Sequence, residues 1–117
     1  MTGREWIVDA YGCSPESLRD RQCLEKLFAQ LIETLGLHPV EPQQWHQFPE
    51  PGGLTGFVIL AESHLACHTF PEHGSMCVSL FCCNPREEFN WVYCLAQDFG
   101  AETVRVRRLE RRYGPQS

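Results

Sequence analysis

Reactive side chains cluster in and just after one apolar stretch of this chain. Gly56-Phe57-Val58-Ile59-Leu60-Ala61 reads as a strand, the polar cluster Glu62-Ser63-His64 interrupts it, and Leu65 to Phe70 resumes it up to Pro71. Ser63 offers a hydroxyl. His68 offers an imidazole, which titrates near neutral pH and can therefore take a proton. No Gly, Pro, Asn or Asp marks the interruption, although a chain reversal normally recruits one of them. In one unbroken strand Ser63 and His68 would face opposite sides, because side chains alternate. A tight corner at Glu62-Ser63-His64 would instead let His68 swing back towards Ser63. A corner built without turn residues is also a candidate for stored backbone strain, which tends to sit at functional sites.

Two adjacent thiols, Cys82 and Cys83, follow in the next strand. Met76, Val78, Leu80 and Cys82 share one wholly apolar face, whereas Cys77, Ser79, Phe81 and Cys83 share a mixed one. Alternation therefore assigns Cys82 to the core and leaves Cys83 for chemistry. Cys67, His68, His73, Cys77, Cys82 and Cys83 could be taken for a metal site. No pair of cysteines has C-x-x-C spacing, and the six residues fall on both strand faces, so no metal is expected.

The same segment resembles the self-processing site of the prokaryotic S-adenosylmethionine decarboxylases, small pyruvoyl enzymes of polyamine synthesis. The matching residues are Leu54-Thr55-Gly56, Glu62-Ser63-His64-Leu65, His68-Thr69-Phe70-Pro71-Glu72, Gly74 and Leu80-Phe81-Cys82-Cys83. Weaker matches are Tyr11-Gly12-Cys13 early in the chain, and Glu110-Arg111 with Tyr113 late.

The resemblance implies that Ser63 attacks the carbonyl of Glu62, exchanging the amide for an ester. β-Elimination then releases Glu62 as a new C-terminus and leaves a pyruvoyl group in place of Ser63. The single domain 1–117 would thus become a β chain, 1–62, and an α chain, 63–117. A pyruvoyl ketone forms a Schiff base with the substrate amine and acts as an electron sink for the carbanion left by decarboxylation. The only lysine, Lys26, lies within the first long helical stretch and belongs to no cofactor motif.

By the same resemblance His68 assists processing by taking a proton, Thr55 stands for a serine that helps it, and Cys83 reprotonates the substrate carbon. Glu72 matches a substrate-binding carboxylate, and Phe48 an aromatic that stacks on adenine. Trp45 and Phe70 lie in segments that could add further aromatic faces. Ser79, Phe70, His73 and Asn84 replace the family's aspartate, tryptophan, tyrosine and glycine. These departures bear on the substrate, so two alternatives stand beside S-adenosylmethionine decarboxylation. One is a pyruvoyl enzyme acting on ornithine or arginine, and the other is an uncleaved, non-catalytic regulatory homologue.

Several elements must position these residues. Trp6–Tyr11 reads as a strand, and Ser14-Pro15-Glu16 as a helix start with a serine cap and proline at the first position. Near Asp20 a longer helix begins, with Leu24, Leu27, Phe28, Leu31, Ile32 and Leu35 on one stripe and Gly36 as its C-cap. Residues 38–48 read as a strand whose pairing Pro39 and Pro42 limit, and 49–53 as a loop. Strands are expected over 54–61, 65–70 and 76–83. A second helix should follow, capped by Asn84, with Pro85 first, Glu87 and Glu88 near its positive end, and Phe89, Val92, Leu95 and Phe99 buried. Val104 and Val106 alternate in a last strand. Two helices that each follow a strand give an α/β two-layer sandwich: a mostly antiparallel sheet with the helices on one face. The resemblance implies the same fold, assembled as a homodimer of cleaved protomers.

Composition bounds the rest. The 117 residues, 43% hydrophobic and 21% charged, suit one globular domain. A net charge of -5 argues against a nucleic-acid surface. The arginines at 105, 107, 108, 111 and 112 read as a solvated strand face. No apolar run approaches the ~20 residues of a membrane span, and the first residues lack a signal peptide's apolar core. Seven cysteines, an odd number, several within apolar elements, suit reduced thiols in the cytoplasm.

Overall fold

A computed structural model describes residues 2–84 and 87–115. Its sheet has six strands: β1 (Thr2–Tyr11), β2 (Gln44–Gln47), β3 (Leu54–Leu60), β4 (Ser63–Phe70), β5 (Ser75–Cys82) and β6 (Thr103–Arg112). Their spatial order is β2-β3-β4-β5-β1-β6, and every pair is antiparallel. The helices are α1 (Pro15–Leu18), α2 (Arg21–Leu35) and α3 (Trp91–Phe99). The two-layer sandwich expected from the sequence is thus present, with short α1 as a third helix.

Alternation along each strand builds the core. Trp6, Val8 and Ala10 of β1, Val58 and Leu60 of β3, Leu65 and Cys67 of β4, and Met76, Val78, Leu80 and Cys82 of β5 turn one sheet face to the helices. Leu24, Leu27, Phe28, Leu31 and Leu35 meet them along one stripe of α2. Asp20 caps that helix by accepting from the Gln22 amide, and Gly36 closes it with φ of 64°. Each such buried aliphatic side chain contributes about 1.5–3 kcal/mol. Thr69, the one buried polar side chain among the described residues, donates to the Leu18 carbonyl and accepts from the Leu54 amide.

Several boundaries differ from the sequence reading. β1 and β6 are longer than expected, because they pair with each other from Thr2↔Arg112 to Tyr11↔Thr103. Of residues 38–48 only Gln44–Gln47 is a strand, since Pro39 and Pro42 have no amide to donate. Helix α3 starts at Trp91, not after Asn84. Asn90 caps it by accepting from the Tyr93 amide, so Glu87, Glu88 and Phe89 precede the helix. Pro85 lies outside the described residues. Val92 is exposed, and Trp91 and Cys94 take its place on the buried side with Leu95 and Phe99.

The opposite sheet face carries no helix. Across it run the rungs His46–Thr55–His68–Cys77–Asp9–Arg105, then Gln44–Phe57–Ala66–Ser79–Ile7–Arg107, then Ile59–His64–Phe81–Glu5–Leu109. Phe57, Ile59 and Leu109 are each about two-fifths exposed there. Asp9–Arg107 and Glu5–Arg111 ion pairs border the apolar part.

Candidate active site

The corner between β3 and β4 is tighter than expected and sits one residue earlier. Leu60 pairs with Ser63, so Ala61 and Glu62 alone make the turn while Ser63 and His64 already belong to β4. No described non-glycine residue has a positive φ, so the corner holds no left-handed strain. His68 does not swing back to Ser63. Because β4 runs unbroken from Ser63 to Phe70, the two side chains take opposite faces. They lie five residues apart on the strand, about 16 Å.

Each of the two residues has its own surroundings. At the Ser63 end, the Cys83 amide donates to the Glu62 carbonyl at 3.0 Å. The Asn84 side-chain amide donates to the Glu62 carboxylate, and the Tyr113 hydroxyl donates to the Cys83 carbonyl at 2.6 Å. Ser63, Glu62, Ala61 and His38 line a cavity of about 280 Å³. Chain pairing holds His38 there: its carbonyl accepts from the Ala61 amide at 2.8 Å, and the Val40 amide donates to the Ile59 carbonyl at 3.0 Å.

At the His68 end, Thr55 Oγ1 lies 3.1 Å from Nδ1 of His68. Both line a cavity of about 390 Å³ with Phe48, Phe70 and Glu72. This brings together five residues singled out in the sequence. Trp45 is not among them. Its ring packs on Phe28 at 4.7 Å and its indole N–H donates to Gln43. A Cβ on Gly56 would run into that ring, so Trp45 is wedged against the sheet.

Parity holds for the paired thiols: Cys82 is fully buried, and Cys83, just past the end of β5, is half-buried. Ser79 occupies the middle of the open face between Ala66 and Ile7. The six residues weighed as metal ligands divide between the faces, with Cys67 and Cys82 under the helices and His68 and Cys77 on the open side. Burial pushes up the thiols of Cys13, Cys23, Cys67, Cys77 and Cys94, disfavouring the thiolate that a ligand or nucleophile needs.

His38 escaped the sequence reading because it lies in a proline-flanked segment, and nothing local links that segment to the corner. Tyr113 carried a faint signal as a late match to the family pattern. Asn84, a helix cap on the sequence pattern alone, instead donates to the Glu62 carboxylate.

The family model for S-adenosylmethionine decarboxylase matches residues 4–112. A protein of Anoxybacillus flavithermus (strain DSM 21510 / WK1) named S-adenosylmethionine decarboxylase proenzyme is 33% identical over 113 residues, covering 97% of this chain and 90% of its own. One of the same name from Moorella thermoacetica is 35% identical over 111 residues, covering 93% of this chain and 86% of its own. The crystal structure of the adenosylmethionine decarboxylase from Aquifex aeolicus VF5 superposes with a TM-score of 0.77 at 23% identity. That match covers 98% of this chain and 94% of that one, and it bears on the fold.

Proposed function

The chain belongs to the S-adenosylmethionine decarboxylase family, and on that premise we propose that it is a proenzyme that cleaves itself between Glu62 and Ser63. The mature enzyme, chains 1–62 and 63–117, then decarboxylates S-adenosylmethionine for polyamine (spermidine) synthesis.

The observation that carries this reading is the hydrogen bond from the Cys83 amide to the Glu62 carbonyl. Attack by Ser63 places negative charge on that oxygen. A fixed backbone donor there stabilises the charge as it develops, an arrangement worth about 3–4 kcal/mol where it has been removed from other enzymes. The following residue, Ser63, carries the hydroxyl, so a pyruvoyl group formed at position 63 fits the site. Such a group supplies the electron sink that decarboxylation requires. Cys83 serves as proton donor to the substrate carbon. Thr55 orients His68, which takes the Ser63 Cα proton during elimination. Phe48 and Glu72 bind the nucleoside.

Within one chain His68 stands far from Ser63, so we take the working unit to be a homodimer. The exposed apolar rungs of the open face, Phe57, Ile59 and Leu109 among them, support docking of a second copy there. A second copy can carry Thr55 and His68 to the first chain's corner. No described helix is long and apolar enough to cross a membrane. The odd number of cysteines, several of them buried, supports a cytoplasmic location.

Intact mass tests the reading. The wild-type chain should resolve into two fragments divided at the Glu62–Ser63 bond, and Ser63→Ala should stay full length. Cleavage of Ser63→Ala at the same bond would overturn the mechanism.

A further inference from the structure

The acyl shift requires that something take the Ser63 hydroxyl proton, and His68 is not beside that hydroxyl in its own chain. Another histidine shares the cavity at that hydroxyl. His38 lines the same 280 Å³ cavity as Ser63 and Glu62. Its place does not depend on its own side chain, because the bond between its carbonyl and the Ala61 amide fixes it to the last turn before the scissile bond. The Pro39–Leu60 bridge extends that pairing. His64, the other nearby histidine, stacks between Phe57 and Phe81 on the open face and is turned away from the cavity.

We propose that His38 is the proton carrier for the acyl shift, an assignment that rests on the self-cleavage reading above. The His38 imidazole takes the proton from Ser63 Oγ as Oγ bonds to the Glu62 carbonyl carbon. The carbonyl electron pair moves onto oxygen, where the Cys83 amide holds it. As that pair returns, the bond from the carbonyl carbon to the Ser63 nitrogen breaks. The His38 imidazolium then delivers its proton to that nitrogen. The products are an ester and a free amine, with His38 restored and no other reactant consumed. The two histidines thus divide the chemistry: His38 handles the hydroxyl proton, and His68 the Cα proton of the later elimination.

The test follows cleavage of freshly purified wild type, His38→Ala, His38→Gln and His68→Ala on denaturing gels from pH 5 to 9. Because His38 is exposed and its structural bonds come from its backbone, the substitutions should keep the fold, checked by circular dichroism. General-base removal should slow cleavage about 10²-fold or more. It should also change the pH dependence of the rate, and added imidazole should restore part of the rate. Hydroxylamine should split His68→Ala, which accumulates the ester, and should leave His38→Ala intact. Wild-type rate and pH profile in both His38 variants would overturn the assignment. So would slow variants that keep the wild-type pH profile and ignore imidazole, because that pattern marks a structural role. A wild-type chain that never cleaves would overturn the underlying reading, whatever the variants do.

Discussion

The Cys83 amide donates to the Glu62 carbonyl at 3.0 Å, so one residue offers a backbone donor to the peptide before Ser63 and a thiol in the same neighbourhood. The two contributions are separable because only the thiol belongs to the side chain.

Cys83→Ala keeps the amide and should still process at close to the wild-type rate. It should lose turnover by about 10²-fold, the scale of one positioned proton donor. Cys82, fully buried on the helix side, should behave differently. Cys82→Ala should cost about 1 kcal/mol of stability and leave turnover per folded molecule intact. Gels, labelled carbon dioxide release and denaturant melts check the three readouts. Equal losses of turnover in the two variants, with folding unaffected, would remove the distinction between the thiols.

Tyr113 reaches the same residue from the other side, its hydroxyl donating to the Cys83 carbonyl. Tyr113→Phe removes that bond and little else, since the ring is half exposed. A loss of about 1 kcal/mol in positioning corresponds to roughly fivefold in rate. Cleavage of Tyr113→Phe should slow by that factor while its thermal midpoint barely moves. An unchanged cleavage rate would show that Cys83 is held without it.

Alkaline stability follows from the buried thiols. Burial, and then the Asp98 carboxylate, push Cys94 from 9.0 up to about 12. Cys67 is also shifted upward, through burial first. A raised pKa means that the folded chain holds the proton more tightly than the unfolded one. The stability is therefore fully present below the unfolded value and is lost as pH climbs through the window from 9 to about 12. Thermal midpoints should fall in that window, and Cys94→Ala should flatten part of the fall. A midpoint flat to pH 11 in the wild type would contradict the assignment.

The parts of the fold that were legible in the sequence are those written in local periodicity. The α2 stripe, its Asp20 and Gly36 caps, and the alternation that buries Cys82 all needed only neighbouring residues. The α3 start was missed because Asn84 and Asn90 are both plausible caps, and a longer-range partner, Glu62, claims the first. The corner was displaced by one residue, since a two-residue turn of Ala61 and Glu62 uses none of the residue types that usually signal reversal. With Ser63 inside β4, alternation then sets His68 apart from it. At the site, Thr55, His68 and Glu72 came from the family pattern and do share a cavity. His38 could not be found that way, because its position depends on pairing with Ile59–Ala61 across more than twenty residues.

The remaining prediction concerns the substrate. S-adenosylmethionine presents a sulfonium charge, a ribose and an adenine, which call for aromatic faces and a carboxylate near the ribose hydroxyls. Phe48 and Phe70, both exposed, and Glu72 line one cavity and offer these groups, although Trp45 has been withdrawn to the core. Ornithine or arginine would need a carboxylate at the end of a narrow pocket to pair with its terminal cation. Glu72 is the only carboxylate among the described residues lining this cavity, and Ser79, where the family has aspartate, lies between Ala66 and Ile7 with no charge to give. Fully processed enzyme should therefore release labelled carbon dioxide from carboxyl-labelled S-adenosylmethionine and not from ornithine or arginine. Phe48→Ala should raise KM by about tenfold, the loss of one stacking contact of 1–1.5 kcal/mol, with a smaller effect on kcat. Turnover of ornithine or arginine with none of S-adenosylmethionine would reassign the substrate while leaving self-cleavage in place, and an unprocessed, inactive chain would favour the regulatory homologue.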